Sequence, residues 1–344
     1  MLKVAICGGS GYAGSELLRL LAAHPGATVV AATSERSAGI PVVELHGHLH
    51  KYPDLVLEPM EKENLLKRAD VFFLALPHAA SQEAVEYFFR NGKKVIDLSA
   101  DYRLRDPGVY ERWYRTPHRF REALGQAVYG LPELYRNSIR KASLVANPGC
   151  YPTGAILGLY PALKAGLIEP EGIVIDSKSG ASGAGRRSEV AFSFCEVEGG
   201  VKAYAVAAHR HTPEIEQEVS ALAGSEVSVD FTPHLLPIER GILTTIYAKL
   251  KKKADAAGAL DLYRRTYGGE PFIRVLGGLP NVKGVRGTNL CEIGLAVNER
   301  TGTLIVVTAI DNLMKGAAGQ AVHNMNIMMG FEEKAGLDAQ AVYP

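Results

Sequence analysis

An apolar run that opens straight into a glycine-rich turn constrains this chain most. Leu2 to Cys7 reads as a β-strand, and Gly8-Gly9-Ser10-Gly11-Tyr12-Ala13-Gly14 follows without a gap. Ser15 to Ala23 then reads as a helix, with Leu17, Leu18, Leu20 and Leu21 forming its apolar face. Glycines at 8, 11 and 14 allow a tight turn, close approach of backbone to a phosphate, and close packing of helix on strand. The helix start adds unpaired N–H groups and the positive end of the dipole. A glycine motif alone is weak, but strand–turn–helix is the setting that gives it meaning. Gly8, Ser10, Gly11, Tyr12, Ala13 and Gly14 are therefore expected to hold a dinucleotide.

The end of the second strand, Thr28 to Thr33, should decide which one. An acidic residue there suits a ribose 2′-hydroxyl, and an arginine suits a 2′-phosphate. The chain continues Ser34-Glu35-Arg36-Ser37. Ser34 and Arg36 favour NADP, because a guanidinium forks onto phosphate.

Further strands are expected at Val71 to Leu76, Val95 to Leu98 and Leu144 to Ala146, with a helix over Ser81 to Arg90. Strand and helix in alternation imply an α/β domain, a Rossmann-type doubly wound parallel sheet over residues 1–148. Residues 149–311 have another texture. Gly172 to Lys178, Val201 to Ala208, Glu226 to Phe231, Gly241 to Lys249, Cys291 to Val297 and Thr303 to Ile310 read as strands. They suit a mostly antiparallel sheet in an α+β catalytic domain. Helices are expected at Thr153 to Ala165, Thr212 to Ala223, Ala256 to Tyr267 and Met314 to Met329.

With 344 residues the chain has room for two such domains. A net charge of +1 gives no field to hold nucleic acid or an anionic membrane. The run Lys251-Lys252-Lys253 reads as a solvated loop end. No apolar stretch reaches the roughly 20 residues that span a bilayer. The N-terminus looks briefly like a signal peptide, but glycines cut its apolar run after Cys7. Four cysteines without a C-x-x-C argue for reduced thiols and a cytoplasmic protein.

Cys150 stands apart. In Asn147-Pro148-Gly149-Cys150-Tyr151-Pro152-Thr153 it follows a strand and precedes a helix whose first turn tolerates Pro152. A helix N-terminus favours a thiolate. Cys7, Cys195 and Cys291 lie in strand-like apolar segments and read as structural. The proton partner is expected in His209-Arg210-His211. If the strand before it runs on, His209 and His211 share a face. No third ligand is spaced to make that pair a metal site, so no metal is expected. His46, His48 and His50 read as loop histidines. On these residues alone, a cysteine enzyme that uses a dinucleotide, a non-catalytic dinucleotide sensor and a cysteine hydrolase all stay open; the last leaves the glycine turn unexplained.

The ordered segments Gly8 to Gly14, Asp97 to Leu104, Tyr129 to Glu133, Ala146 to Thr153, Ser179 to Arg186, His209 to Glu214, Arg240 to Ile242 and Asp311 to Gln320 run through nearly the whole chain. In them the chain resembles the N-acetyl-γ-glutamyl-phosphate reductases of arginine biosynthesis, relatives of aspartate-semialdehyde and glyceraldehyde-phosphate dehydrogenases. The resemblance implies NADPH-dependent reduction of an acyl phosphate to a semialdehyde through a thioester. It matches Cys150 to the nucleophile and His209 to the acid/base, and it places Asn312 at the nicotinamide and Arg103 at the substrate phosphate. Lys178, Lys202, Arg210 and His211 are expected to help bind this small-molecule substrate, and which of the two histidines carries the proton stays open. The resemblance further implies a homo-oligomer, dimer or tetramer, and a last helix (312–344) that returns to the nucleotide domain. A lysine-pathway branch acting on a carrier-bound aminoadipyl phosphate is the alternative substrate reading; the intact Asn-Pro-Gly-Cys-Tyr-Pro motif disfavours it. Ala208 departs from the glycine more usual before His-Arg-His.

Overall fold

Short, continuously apolar strands with no alternation are what a parallel sheet covered on both faces requires. The computed structural model describes residues 1–186 and 189–343; Arg187, Ser188 and Pro344, which the expected domain ranges include, lie outside the described residues. The chain forms two units, residues 1–148 with 317–339, and residues 149–316 with 340–344.

The first unit holds β1 (Leu2–Cys7), β2 (Ala27–Thr33), β3 (Val71–Leu74), β4 (Lys94–Asp97), β5 (Val128–Tyr129) and β6 (Leu144–Ala146). They pair in the order β2-β1-β3-β4-β6-β5, all parallel. Strand order reverses between β1 and β3, the switch point where open α/β sheets bind ligands beyond the strand ends. Val4, Ala5, Ile6 and Cys7 are fully buried, as are Phe72, Phe73 and Leu74. On one face the Phe72 ring stacks on Phe88 of the Gln82–Arg90 helix, centroids 3.8 Å apart. The helix after the glycine turn starts earlier than expected, over Tyr12–Leu21. β5 and the helices Pro107–Tyr114, Arg121–Gln126 and Pro132–Lys141 give no strong periodicity in sequence and are found only in the structure.

The expected helix from Met314 is instead a π-helical turn, Met314–Ala318, followed by the helix Gly319–Met329. That helix is buried on almost every side, polar residues included. Asn324 Nδ2 donates to the Gly130 carbonyl and to Asn147 Oδ1, and Gln320 Nε2 donates to Gly130 as well. Burying these amide N–H groups is tolerable because each finds such an acceptor.

The second unit holds β7 (Ile173–Gly180), β8 (Lys202–Ala203), β9 (Val229–Leu236), β10 (Ile242–Lys249), β11 (Ile273–Val275), β12 (Cys291–Asn298) and β13 (Thr303–Ile310). The order is β11-β12-β13-β10-β7-β9-β8. Four of the six pairings are antiparallel; β11 with β12 and β7 with β9 are parallel. The helix Cys150–Lys164 lies on the face that carries Ile246 and Thr308, where Gly154 and Gly158 let it approach. Tyr263 and Tyr267 donate their hydroxyls to the carbonyls of Gly158 and Leu157, tying a second helix to the first.

Two expected strands change. Val201 to Ala208 shrinks to the two residues of β8, because Ala205 and Ala207 take left-handed φ values of 45° and 54°. Glu226 to Phe231 is displaced to β9, which runs on through Pro233 beside the short edge strand β8. Cys195 is also corrected: it is exposed in a helical turn, Phe194–Val197, rather than held in a strand.

Candidate active site

In the first unit the glycine turn is tied to β2, with the N–H groups of Gly8 and Gly9 both donating to the Thr33 carbonyl at 3.1 and 2.8 Å. Gly8 has φ +100°, and a Cβ there would lie 2.3 Å from the Ala75 carbonyl oxygen. A Cβ on Gly14 would lie 2.2 Å from the Gly8 oxygen, so helix and strand meet only without it. Gly11 differs. Its φ is an ordinary −82°, and a Cβ there would meet nothing nearer than 3.7 Å. Among the described residues nothing in the fold requires glycine at 11, and a glycine there leaves room for a group to approach the backbone. Gly11 also caps the Tyr12–Leu21 helix without a side chain, which leaves first-turn N–H groups to a ligand. Ser10 sits in this turn; Tyr12 is exposed and Ala13 half-buried at the helix start.

Ser34 is buried and donates to Ser10 Oγ at 2.9 Å, linking the end of β2 to the turn. Glu35 accepts the Met60 N–H through Oε1 at 3.2 Å. Arg36 is exposed. The acidic neighbour is thus occupied and the guanidinium open to solvent, the arrangement a 2′-phosphate needs. His46, read as a loop residue, is buried, and its Nε2 lies 3.0 Å from the Gly9 carbonyl oxygen. His48 Nε2 reaches Ser15 Oγ at 3.3 Å. Both contacts were illegible in sequence, since residues 34–45 separate β2 from His46 and no periodicity points it at the turn.

Arg103 is buried, donating from Nε to the Asn147 carbonyl and from Nη2 to the Leu98 carbonyl, both at 2.8 Å. In this arrangement it braces the ends of β4 and β6. Asp97, in the same motif, accepts from the Ser81 and Ser99 hydroxyls. Burial, and then the nearby Asp101, push its carboxyl up to about 6.

In the second unit Cys150 is half-buried and is the first residue of the 15-residue helix Cys150–Lys164. Gly149 is the N-cap; its N–H donates to the buried Glu214 carboxylate at 2.7 Å, and Thr153 Oγ1 donates to its carbonyl at 2.9 Å. The turn before the sulfur is thereby fixed from two elements. By contrast Cys7 is fully buried, and that burial pushes its thiol up to about 12.

His209 stands beside the next residue, its ring centroid 5.4 Å from Tyr151, 5.6 Å from Tyr204 and 5.3 Å from Phe231. The Tyr151 and Tyr204 hydroxyls are 2.7 Å apart. His209 Nδ1 accepts the His211 N–H at 3.1 Å, so the neutral ring carries its proton on Nε2. Burial first, then the charge of Arg210, lower its pKa to about 4. The two histidines are brought together, centroids 4.9 Å apart, by a turn and not by the expected strand. His211 is half-buried and precedes the Thr212–Ala223 helix; Arg210 is exposed.

Lys178 lies away from the Cys150 helix. Ser177 Oγ meets Thr244 Oγ1, on the sheet face covered by the Cys150 helix, so alternation turns Lys178 to the other face. There its ammonium pairs with Asp176 at 2.7 Å. Lys202 is exposed, its Nζ 3.4 Å from the Ala191 carbonyl. Asn312 is buried, accepts the Gly241 N–H at 2.8 Å and donates to Ser182 Oγ at 2.9 Å. Among the described residues no group of three His, Cys, Asp or Glu side chains is arranged to hold a metal ion, and no helix is long and apolar enough to cross a membrane.

Comparison with known proteins agrees with this division of parts. Residues 3–142 match the family model of the semialdehyde dehydrogenase NAD binding domain, and residues 150–312 that of the semialdehyde dehydrogenase dimerisation domain. The fold and these two matches define a dehydrogenase of the semialdehyde class. Among solved structures, aspartate semialdehyde dehydrogenase II of Vibrio cholerae superposes with a TM-score of 0.74 at 16% identity, covering 96% of this chain and 98% of that one. A probable aspartate-semialdehyde dehydrogenase of Pseudomonas aeruginosa gives 0.72 at 21%, covering 95% and 98%. At those identities the likeness shows the fold. Curated relatives are much nearer. N-acetyl-gamma-glutamyl-phosphate reductases of Geobacter metallireducens and Geobacter sulfurreducens are 56% and 55% identical over the whole of both chains, and that of Pelotomaculum thermopropionicum is 53% identical over 100% of this chain and 99% of its own. The chain belongs to the N-acetyl-γ-glutamyl-phosphate reductase family.

Proposed function

We propose that this protein reduces N-acetyl-γ-glutamyl phosphate to N-acetylglutamate 5-semialdehyde and phosphate with NADPH, in arginine biosynthesis, through a thioester on Cys150. Residues 1–148, with the returning C-terminal segment, form the NADP-binding domain, and the domain from Gly149 carries the catalytic groups. The protein works as a cytoplasmic homo-oligomer, a dimer or tetramer. The observation that carries the reading is the place of Cys150, a half-buried sulfur on the first residue of a long helix whose preceding turn is fixed by Glu214.

The helix start favours the thiolate. The thiolate attacks the acyl carbon, the carbon–oxygen bond to phosphate breaks, and the acyl group remains on sulfur. Bound NADPH supplies a hydride to that acyl carbon. Negative charge then grows on the acyl oxygen, and His209 can offer Nε2–H to it as a neutral hydrogen-bond donor. A neutral donor suits this step, because the oxyanion must collapse with its charge to expel Cys150 as thiolate and free the aldehyde. Arg210, Arg103 and Lys202 remain the cations proposed for the phosphate and α-carboxylate, with His211 beside them. Gly8, Ser10, Gly11, Tyr12, Ala13 and Gly14 would hold the cofactor diphosphate, Ser34 and Arg36 the 2′-phosphate, and Asn312 the nicotinamide end.

The test runs the reaction backward. N-acetylglutamate semialdehyde with phosphate should reduce NADP, the aminoadipate analogue should react far more slowly, and Cys150→Ala should abolish turnover. Preference for the aminoadipate analogue, or activity retained without Cys150, would refute it.

A further inference from the structure

We infer that His46 is a positioning residue for the cofactor, a latch that sets the peptide between Gly9 and Ser10. The inference rests on the reading that NADPH occupies the glycine turn. A carbonyl oxygen only accepts, so the 3.0 Å contact to Gly9 requires the proton on His46 Nε2. In a trans peptide the carbonyl and the following N–H point in opposite directions. Holding the Gly9 carbonyl toward His46 therefore turns the Ser10 N–H the other way. Flipped, the same peptide would put a carbonyl where that N–H stands and repel a phosphate.

Glycine makes such a flip cheap, because it takes either sign of φ. The neighbouring backbone bonds hold the N–H groups of Gly8 and Gly9 to Thr33 and the Gly11 N–H to the Gly8 carbonyl at 3.3 Å; among the described residues no backbone N–H takes the Gly9 carbonyl. The chain supplies that partner from a distant loop. His46 ends the short Val42–Leu45 helix, and the loop is itself anchored by Val42 N–H to Leu55 and Leu57 N–H to Ile40. The same loop brings Leu57 against Gly9, where a Cβ would meet its Cδ2 at 3.1 Å. His46 is 7% exposed, so water does not readily replace its ring. His48, two residues on, is exposed; its ring edges against His46 and its Nε2 meets the Ser15 hydroxyl, not the turn's backbone. Of the three histidines in Leu45 to His50, His46 is the one turned onto the turn's backbone.

The test compares His46→Leu, similar in bulk without a donor, with His46→Gln, whose amide N–H can replace Nε2–H. NADPH affinity is read by fluorescence titration, alongside kcat at saturating NADPH and the rate of Cys150 alkylation. His46→Leu should weaken NADPH about tenfold, the scale of one lost hydrogen bond. Its kcat and alkylation rate should stay near wild type, and His46→Gln should regain most of the affinity. If the leucine variant does not fold, His46→Asn, whose amide is too short to reach, takes its place with the same expectation. Equal affinity in wild type and His46→Leu, or a glutamine variant as weak as the leucine one, would overturn the latch. Wild type that fails to bind NADPH would instead bring down the cofactor reading.

Discussion

Gly316 leaves Cys150 no room to share: a Cβ on Gly316 would lie 2.8 Å from the Cys150 Cβ and 3.2 Å from its Cα. Gly316 is held there by the π-helical turn Met314–Ala318, with its N–H on the Asp311 carbonyl at 3.0 Å. Asp311 is fully buried and its carboxylate is bound by Arg240 and by the N–H groups of Gly287 and Leu313. The contact lies on backbone-near atoms of a helix start, so it cannot be relieved by rotating a side chain. Gly316→Ala should displace the sulfur. A shift near 1 Å at a reacting centre costs about 100-fold in rate, and that is the expected fall in kcat. NADPH affinity, measured by titration, should not change.

The acid side of the pH–rate profile should reflect a neutral His209. With its pKa lowered to about 4, the ring stays unprotonated through the range where an ordinary histidine titrates. The His209 contribution to kcat should be flat from pH 8 to near 5 and fall only as pH approaches 4. Arg210→Ala removes the second cause of the lowering and should move that limb upward. Stability follows the same sign. Between the ordinary 6.5 and about 4 the unfolded chain binds a proton that the folded chain does not, so stability is lost as pH falls through that window. His209→Asn should flatten that part of a melting-temperature profile.

Arg36 should separate the two cofactors. It is exposed, while Glu35 is turned to the Met60 N–H. Arg36→Ala should raise the KM for NADPH about tenfold or more, the loss of one charge-assisted contact. The KM for NADH should be nearly unchanged. Equal losses for both would place Arg36 away from the 2′-phosphate.

Glu333 should be a measurable clamp on the returning C-terminal segment. It accepts from His323 Nε2 at 2.7 Å and from Arg136 Nε and Nη2 at 2.8 and 3.2 Å. His323 first, and Arg136 after it, hold its carboxyl down to about 2. A depressed carboxylate stabilises fully above its ordinary 4.5 and loses that contribution as pH falls from 4.5 toward 2. Glu333→Gln should therefore lower the melting temperature at pH 7, with a difference from wild type that shrinks across that acid window.

What the sequence made legible was local chemistry. Gly8 and Gly14 were readable because strand, turn and helix sit in one stretch, and Cys150 because Pro152 announces a helix start. What it hid was set by distant partners or by backbone conformations that residue type does not announce. Alanines at 205 and 207 look like strand residues, yet they adopt left-handed φ and end β8 after two residues. Met314 to Met329 has helical periodicity throughout, which cannot reveal that its first turn is wound as a π-turn against Cys150. The charge of Lys178 is plain in sequence, but its pairing with Asp176, on the face of β7 away from the Cys150 helix, is not. His46 needed the loop from Gly39 to Leu57 to be folded before its contact with Gly9 could be seen.

The central claim is the covalent bond to Cys150, and intact-protein mass spectrometry tests it most directly. Wild-type protein mixed with N-acetyl-γ-glutamyl phosphate, without NADPH, should gain the mass of one N-acetylglutamyl group. Peptide mapping should place it on Cys150, and adding NADPH should remove it with release of the semialdehyde. A protein that turns over this substrate while Cys150 stays unmodified, or that carries the group on another residue, would contradict the account.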